Sequence, residues 1–141
     1  MDFPIGELAR RTHVKVPTIR FYEQIGLLPE PPRTEGKQRR YDDRHASMLN
    51  FIRHARELGF EMDAIRELLA MSAQPNRSCA EIDDMARRHI AAIDRRISHL
   101  TSLRAELQRT VDQCGRGRVC ECRVIETLSD STHRHGRLDA L

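Results

Sequence analysis

The sequence has no tryptophan and only four phenylalanines and two tyrosines. So few large rings leave little material for a large single-chain core, and a helical protein that buries surface against a partner accounts for the shortage. No apolar run approaches the roughly 20 residues needed to span a bilayer, so no membrane partner is expected. The opening MDFPIGELARR lacks the basic-then-apolar pattern of an export signal, and a cytoplasmic location is expected. Thiols stay reduced there, so the four cysteines read as metal ligands or redox sensors rather than as structural disulfides. No His-Glu or multi-carboxylate constellation accompanies them, which argues against an enzyme. Lysine is almost missing, with Lys15 and Lys37 alone among 24 basic side chains.

The charge that is present is unevenly placed. Residues 1–60 hold eleven basic and eight acidic side chains, whereas residues 61–141 hold thirteen of each. Within residues 11–40 the count is seven basic to three acidic. A local basic face of this kind suits phosphate contacts.

Punctuation along the chain separates short helices. PIGELARR (4–11) reads as a first helix and PTIRFYEQI (17–25) as a second, with Pro17 in its first turn and Gly26 at its end. The turn at 12–16 between them gives a helix-turn-helix pattern. In LLPEPPRTEGKQRRYDD the prolines exclude helix and Gly36 marks a turn. The reading is a two-stranded wing turning at 34–37, flanked by Arg33, Lys37, Arg39 and Arg40 for phosphate contacts. A helix then starts at Asp43 and ends at Gly59, and another runs over 60–71.

A long helix follows. Ser78 and Glu81 form an S-x-x-E capping pattern. From there to about Val111 there is neither proline nor glycine. Ile90, Ile93, Ile97, Leu100, Leu103, Leu107 and Val111 recur at spacings of three and four. One apolar stripe on so long a helix, with no second helix of similar length, predicts a self-associating coiled coil. The stretch CGRGRVCEC (114–122) puts three cysteines within nine positions, and VIETLSD after it reads as a short helix. The last residues look frayed. Four segments result: a DNA-binding domain over 1–75, a dimerisation helix over 76–113, a metal-binding loop with its short helix over 114–130, and a flexible tail over 131–141.

IGELARRTHVKVPTIRFYEQIGLL, RTEGKQRRY and FIRHARELGFEMDAIRELL, followed by the capped helix and cysteine loop, resemble the MerR family of transcription regulators over roughly residues 4–128. The resemblance implies a mainly α fold: a winged helix-turn-helix, a long antiparallel dimerisation helix and an effector loop beside a short helix. It implies a homodimer on a palindrome in double-stranded promoter DNA, activating RNA polymerase by distorting that DNA. Carried onto this sequence, it places Lys15, Thr18, Arg20 and Tyr22 with the recognition helix, and Arg33, Lys37, Arg39 and Tyr41 with the wing. Gly36-Lys37-Gln38 departs from the aromatic that many relatives carry after the RTE motif. That puts one wing contact in doubt and offers Lys37 as a substitute.

Helix geometry constrains the cysteines independently. Cys79 and Cys114 are 35 residues apart, about 50 Å along a helix, so they cannot share a metal within one chain. An antiparallel dimer would bring Cys79 of one chain beside Cys114 and Cys122 of the other. Three thiolates suit soft or borderline divalent ions: zinc, cadmium, lead or mercury. A two-thiolate Cu(I) site is the alternative, and the seven-residue gap between Cys114 and Cys122 resembles the copper branch. Cys120 stands as a fourth ligand, a substitute for Cys122 or a bystander. His133 and His135 resemble a tail chelate, and His89 falls on the long helix as an interface residue. An iron–sulfur redox sensor of the same family is a further alternative, opposed by a loop with three cysteines where a cluster needs four ligands. A cytosolic metal buffer with weak DNA affinity is another.

Overall fold

The structure, a computed structural model, describes residues 2–33, 35–36, 38–114, 117–119 and 122–136. It consists of six helices: α1 (Ile5–Thr12), α2 (Val16–Gln24), α3 (Asp43–Glu57), α4 (Met62–Ser72), α5 (Ala80–Asp112) and α6 (Arg123–Ser129). The chain divides into two compact units, Met1–Asp83 and Asp84–Leu141. The expected mainly helical architecture is the one observed. No described helix is long and apolar enough to cross a membrane.

The first unit packs α1 against α2 and α3, and α3 against α4. Leu8, Ile19, Leu49, Ile52 and Ile65 are fully enclosed at its centre, and Val14, Leu27 and Leu28 extend the same core. Local chemistry sets where each helix stops. Thr12 donates its hydroxyl to the Leu8 carbonyl at 2.8 Å, and His13 then turns into the left-handed region at φ 56°. That single step separates α1 from α2. Helix α2 ends at Gly26, φ 74°, where Gly26 N–H bonds the Glu23 carbonyl (3.1 Å) and Leu27 N–H the Tyr22 carbonyl (2.9 Å). This is a Schellman closure, which needs a residue free to adopt positive φ. Helix α3 ends the same way at Gly59, with Phe60 N–H on the Ala55 carbonyl at 3.0 Å. The closure takes up Phe60, so α4 starts at Met62 rather than at 60 as expected.

The start of α3 is a capping box not foreseen from sequence. The Asp42 carboxylate accepts the Arg44 and His45 N–H groups, and the His45 ring accepts the Asp42 N–H at 3.1 Å. The wing is minimal. Among the described residues it holds two isolated antiparallel bridges, Arg33 with Arg39 and Phe3 with Tyr41. The second ties the start of the chain to the returning limb through paired 2.8 Å hydrogen bonds. The expected turn residues Thr34 and Lys37 lie outside the described residues.

Helix α5 has 33 residues, a length of about 50 Å. Ser78 caps it by accepting the Ala80 N–H at 3.2 Å, while Glu81 pairs with Arg77 at 2.7 Å. Only Met85 and Thr110 along it are buried. The expected stripe is largely open, with Ile90 at 57%, Ile97 at 56% and Leu107 at 56% exposure; Leu100 and Val111 are also exposed. Ile93 and Leu103 are half-buried. Leu103, Leu107 and Thr110 of α5 face Val124, Thr127 and Leu128 of α6 across a cleft of about 390 Å³. Residues 131–136, expected to fray, make contacts instead. His133 pairs with Glu106, and Gly136 lies beside the His99 ring.

The first unit should depend on its small core. Leu49→Ala removes a fully enclosed side chain and should cost about 2–5 kcal/mol, measured by urea unfolding. A loss below 1 kcal/mol, on the order of a surface change, would contradict the packing described.

Candidate nucleic-acid interface and metal centre

Helix α2 carries the first set of candidate contacts. Lys15 is its N-cap residue and is exposed; Arg20 is exposed one turn on, and Thr18 is half-buried between them. Arg20 and Arg33 form no ion pair among the described residues, so their guanidinium groups are available to an external anion. By contrast, Arg40 is held by Asp2 at 3.2 Å, and Arg11 is stacked on Phe3 at 4.1 Å and paired with Glu7.

Two expected contact residues are largely enclosed. Tyr22 is 7% exposed and packs in the core, and its remaining surface lines a cleft with Lys15, Thr18, Arg53 and Arg56. Tyr41 is fully buried, with its hydroxyl donating to Glu23 Oε1 at 2.6 Å. Burial first, and then the Glu23 carboxylate, push the Tyr41 phenol far above its ordinary range. Arg39 is partly exposed, its Nη1 3.6 Å from Glu23 Oε2. Lys37 lies outside the described residues.

One feature of this face was not anticipated. The turn after α1 and the flank of α3 form a cleft of about 380 Å³ lined by His13, Lys15, Thr18, Arg53 and Arg56. Arg53 is partly neutralised by Glu57 at 2.9 Å; Arg56 adds a cation on the same rim. The signal in the sequence was the i, i+3 spacing of Arg53 and Arg56, but their meeting with Lys15 depends on the non-local packing of α1 on α3.

The cysteines divide between the two units. Cys79 is exposed, immediately before α5 in the first unit, and its carbonyl accepts the Asp83 N–H at 2.9 Å. Cys114 and Cys122 are half-buried in the second unit, with the Cys114 thiol near enough to Cys122 to favour its thiolate. The Cys122 thiol is drawn below its ordinary range by the Ile125 and Val124 N–H groups, with the Cys114 thiol adding to the effect. Both N–H groups lie in the first turn of α6, where backbone donors lack helical partners. Cys120 lies outside the described residues. Among the described residues no three His, Cys, Asp or Glu side chains gather closely enough to hold a metal. His133 and His135 stand with ring centroids 5.7 Å apart, and His133 is engaged by Glu106. The donor chemistry of Cys114 and Cys122 fits a soft ion, which two thiolates complete only if linear. A higher coordination number needs a ligand from elsewhere.

Residues 3–72 match the family described as "MerR HTH family regulatory protein", and residues 47–110 match "MerR, DNA binding". The chain is 37% identical to the "Mercuric resistance operon regulatory protein" of Bacillus cereus over 91% of this chain and 98% of that one. It is 39% identical to the "HTH-type transcriptional regulator ZntR" of Escherichia coli K12, covering 79% of this chain and 80% of that one. The crystal structure of the transcription regulator PbrR691 from Ralstonia metallidurans CH34 in complex with lead(II) superposes with a TM-score of 0.79 at 37% identity, over 90% and 99% of the two chains.

The thiol geometry has a direct check. In metal-free protein, Cys122 should alkylate with iodoacetamide at a lower pH midpoint than a free cysteine peptide. Cys114→Ala, which leaves no donor at that position, should move that midpoint upward, because one interaction favouring the thiolate is lost. A midpoint indifferent to Cys114→Ala would show that the two thiols do not meet.

Proposed function

This chain belongs to the metal-responsive part of the MerR family of transcription regulators, and on that premise we propose that it is a homodimeric activator triggered by a soft divalent ion: zinc, cadmium, lead or mercury. The observation that carries the proposal is the paired thiols of Cys114 and Cys122 at the end of a 33-residue helix whose apolar stripe is open.

In this reading the stripes of two α5 helices pair antiparallel as a coiled coil. Cys79 of one protomer then completes the thiolate set of Cys114 and Cys122 of the other, with Cys120 as an additional donor. The ion would supply the bonds that fix the helix ends. The chain's own residues do the rest: α5 transmits that constraint, and the two DNA-binding heads change their mutual angle. Lys15, Thr18, Arg20, Arg33, Lys37 and Arg39 hold a palindromic promoter, with Arg53 and Arg56 extending the phosphate face. Tyr41 acts from inside, by packing, and Tyr22 packs in the core while adding its edge to the cleft of Lys15 and Arg56. The strained promoter is then usable by RNA polymerase in the cytoplasm, and the genes served are those of metal efflux or detoxification. Residues 1–75 read DNA, 76–113 pair, 114–130 hold metal and 131–141 form the tail.

A second reading is favoured by one observation: among the described residues two thiols of one chain lie together, which is the donor count of a linear Cu(I) site. A Cd(II) titration followed by thiolate-to-metal ultraviolet absorption separates the two. The band should fall by about one-third per metal in Cys79→Ser if three thiolates bind each ion; an unchanged band moves the Cu(I) site to the front. In cells, Cys114→Ser and Cys122→Ser should each abolish metal induction of a reporter while promoter binding persists. Induction retained in both variants rules out the proposed site.

A further inference from the structure

We propose that Glu23 is a positioning residue, holding the wing arginine Arg39 against the recognition helix while leaving its N–H donors free for a DNA phosphate. The proposal rests on the DNA-binding reading above. Glu23 lies on α2, yet its side chain is only 2% exposed. A carboxylate so enclosed requires partners. Among the described residues its side chain has one hydrogen bond, from the fully buried Tyr41 hydroxyl at 2.6 Å. Tyr41 sits two residues after Arg39, on the limb bridged to Phe3, so the bond fastens the base of the wing to α2. The other oxygen, Oε2, has no hydrogen-bond partner among the described residues. It faces Arg39 Nη1 at 3.6 Å, too long for a hydrogen bond but within ion-pair distance. Arg20, Gln24, Glu23 and Arg39 line one cleft of about 370 Å³ between α2 and the wing.

The length of this contact is what makes the arrangement useful. A fork-to-fork Arg–carboxylate pair would consume two of the guanidinium donors. The 3.6 Å contact orients the group without consuming its donors on Glu23; Arg39 also bears on the Tyr41 hydroxyl, and the donors turned away from both are the ones left for a phosphate. Arg39 therefore reaches the phosphate with its side-chain entropy already reduced, a gain of preorganisation. Buried Glu23 adds no exposed negative charge to the face.

The test is a double-mutant cycle on the full-length reduced protein. The probe is a duplex selected by the wild-type protein from a random library, and binding is followed by fluorescence anisotropy across salt concentrations. Arg39→Ala and Glu23→Gln should each weaken binding about tenfold, and each should lower the salt slope by roughly 0.9, the value for one phosphate contact. The double variant should bind no worse than Arg39→Ala alone. Multiplied losses, or a Glu23→Gln variant with wild-type affinity and slope, overturn the proposal. Wild-type binding by Arg39→Ala would instead remove the wing from the DNA interface, and the proposal with it. Should Glu23→Gln fail to fold, Tyr41→Phe deletes only the hydroxyl donor and must show the same non-additivity with Arg39→Ala; multiplied losses there overturn the proposal equally.

Discussion

An α-helix rises about 1.5 Å per residue and does not shorten, and the account of this protein follows from that rigidity in α5. Its 33 residues keep the backbone at one end far from the backbone at the other, so a thiol beside its first turn and a thiol beyond its last cannot chelate one ion in the same chain. Its apolar stripe is mostly open, so the helix does not gain the burial that normally stabilises helices of any length. The proposed antiparallel pairing of two copies would answer both problems together, covering the stripe and delivering Cys79 to the thiols of the other copy. The first unit has its own core, whereas along α5 only Met85 and Thr110 are buried.

The DNA-binding unit works by a division of labour between buried and exposed polar groups. Its backbone is shaped by short-range devices: the left-handed His13, the Schellman closures at Gly26 and Gly59, and the Asp42–His45 box. These settle the helix ends so that Arg20 and Arg33 stay exposed and, among the described residues, without ion partners. Other arginines are spent on structure, Arg40 on Asp2 and Arg66 on the Ile25 carbonyl. Net charge is therefore a poor measure of the phosphate-binding face. What matters is which cations remain unpaired once the fold is formed.

The helices and their order were legible because glycine, proline and apolar spacing mark them locally. Pro17, Gly26 and Gly59 fall at boundaries, and the stripe of α5 is unbroken. The chemistry of the tyrosines was not legible. Tyr22 and Tyr41 stand among basic residues and resemble groove contacts, but an apolar ring with one hydroxyl is equally suited to a core with one acceptor, and Glu23 supplies that acceptor to Tyr41. The Asp42–His45 box was missed because histidine replaces the usual Glu or Gln at its third position. The cleft of Lys15, Arg53 and Arg56 depends on α1 packing on α3, which no local pattern reports. Leu103 and Leu107, grouped with the stripe by spacing, also line the cleft against α6. The closeness of Cys114 and Cys122 was readable from their shared loop. Cys79 as a third ligand rests on an argument about distance.

That argument is tested most directly by mixing two defective proteins. Cys79→Ser and Cys114→Ser homodimers each lack one required ligand at both sites. A heterodimer of the two, isolated with different affinity tags, has one complete site and one that lacks both cysteines. The account predicts that the heterodimer regains high-affinity Cd(II) binding at one ion per dimer, with the full thiolate-to-metal band for that ion. A heterodimer that binds no better than its parents would contradict a site shared between the two chains.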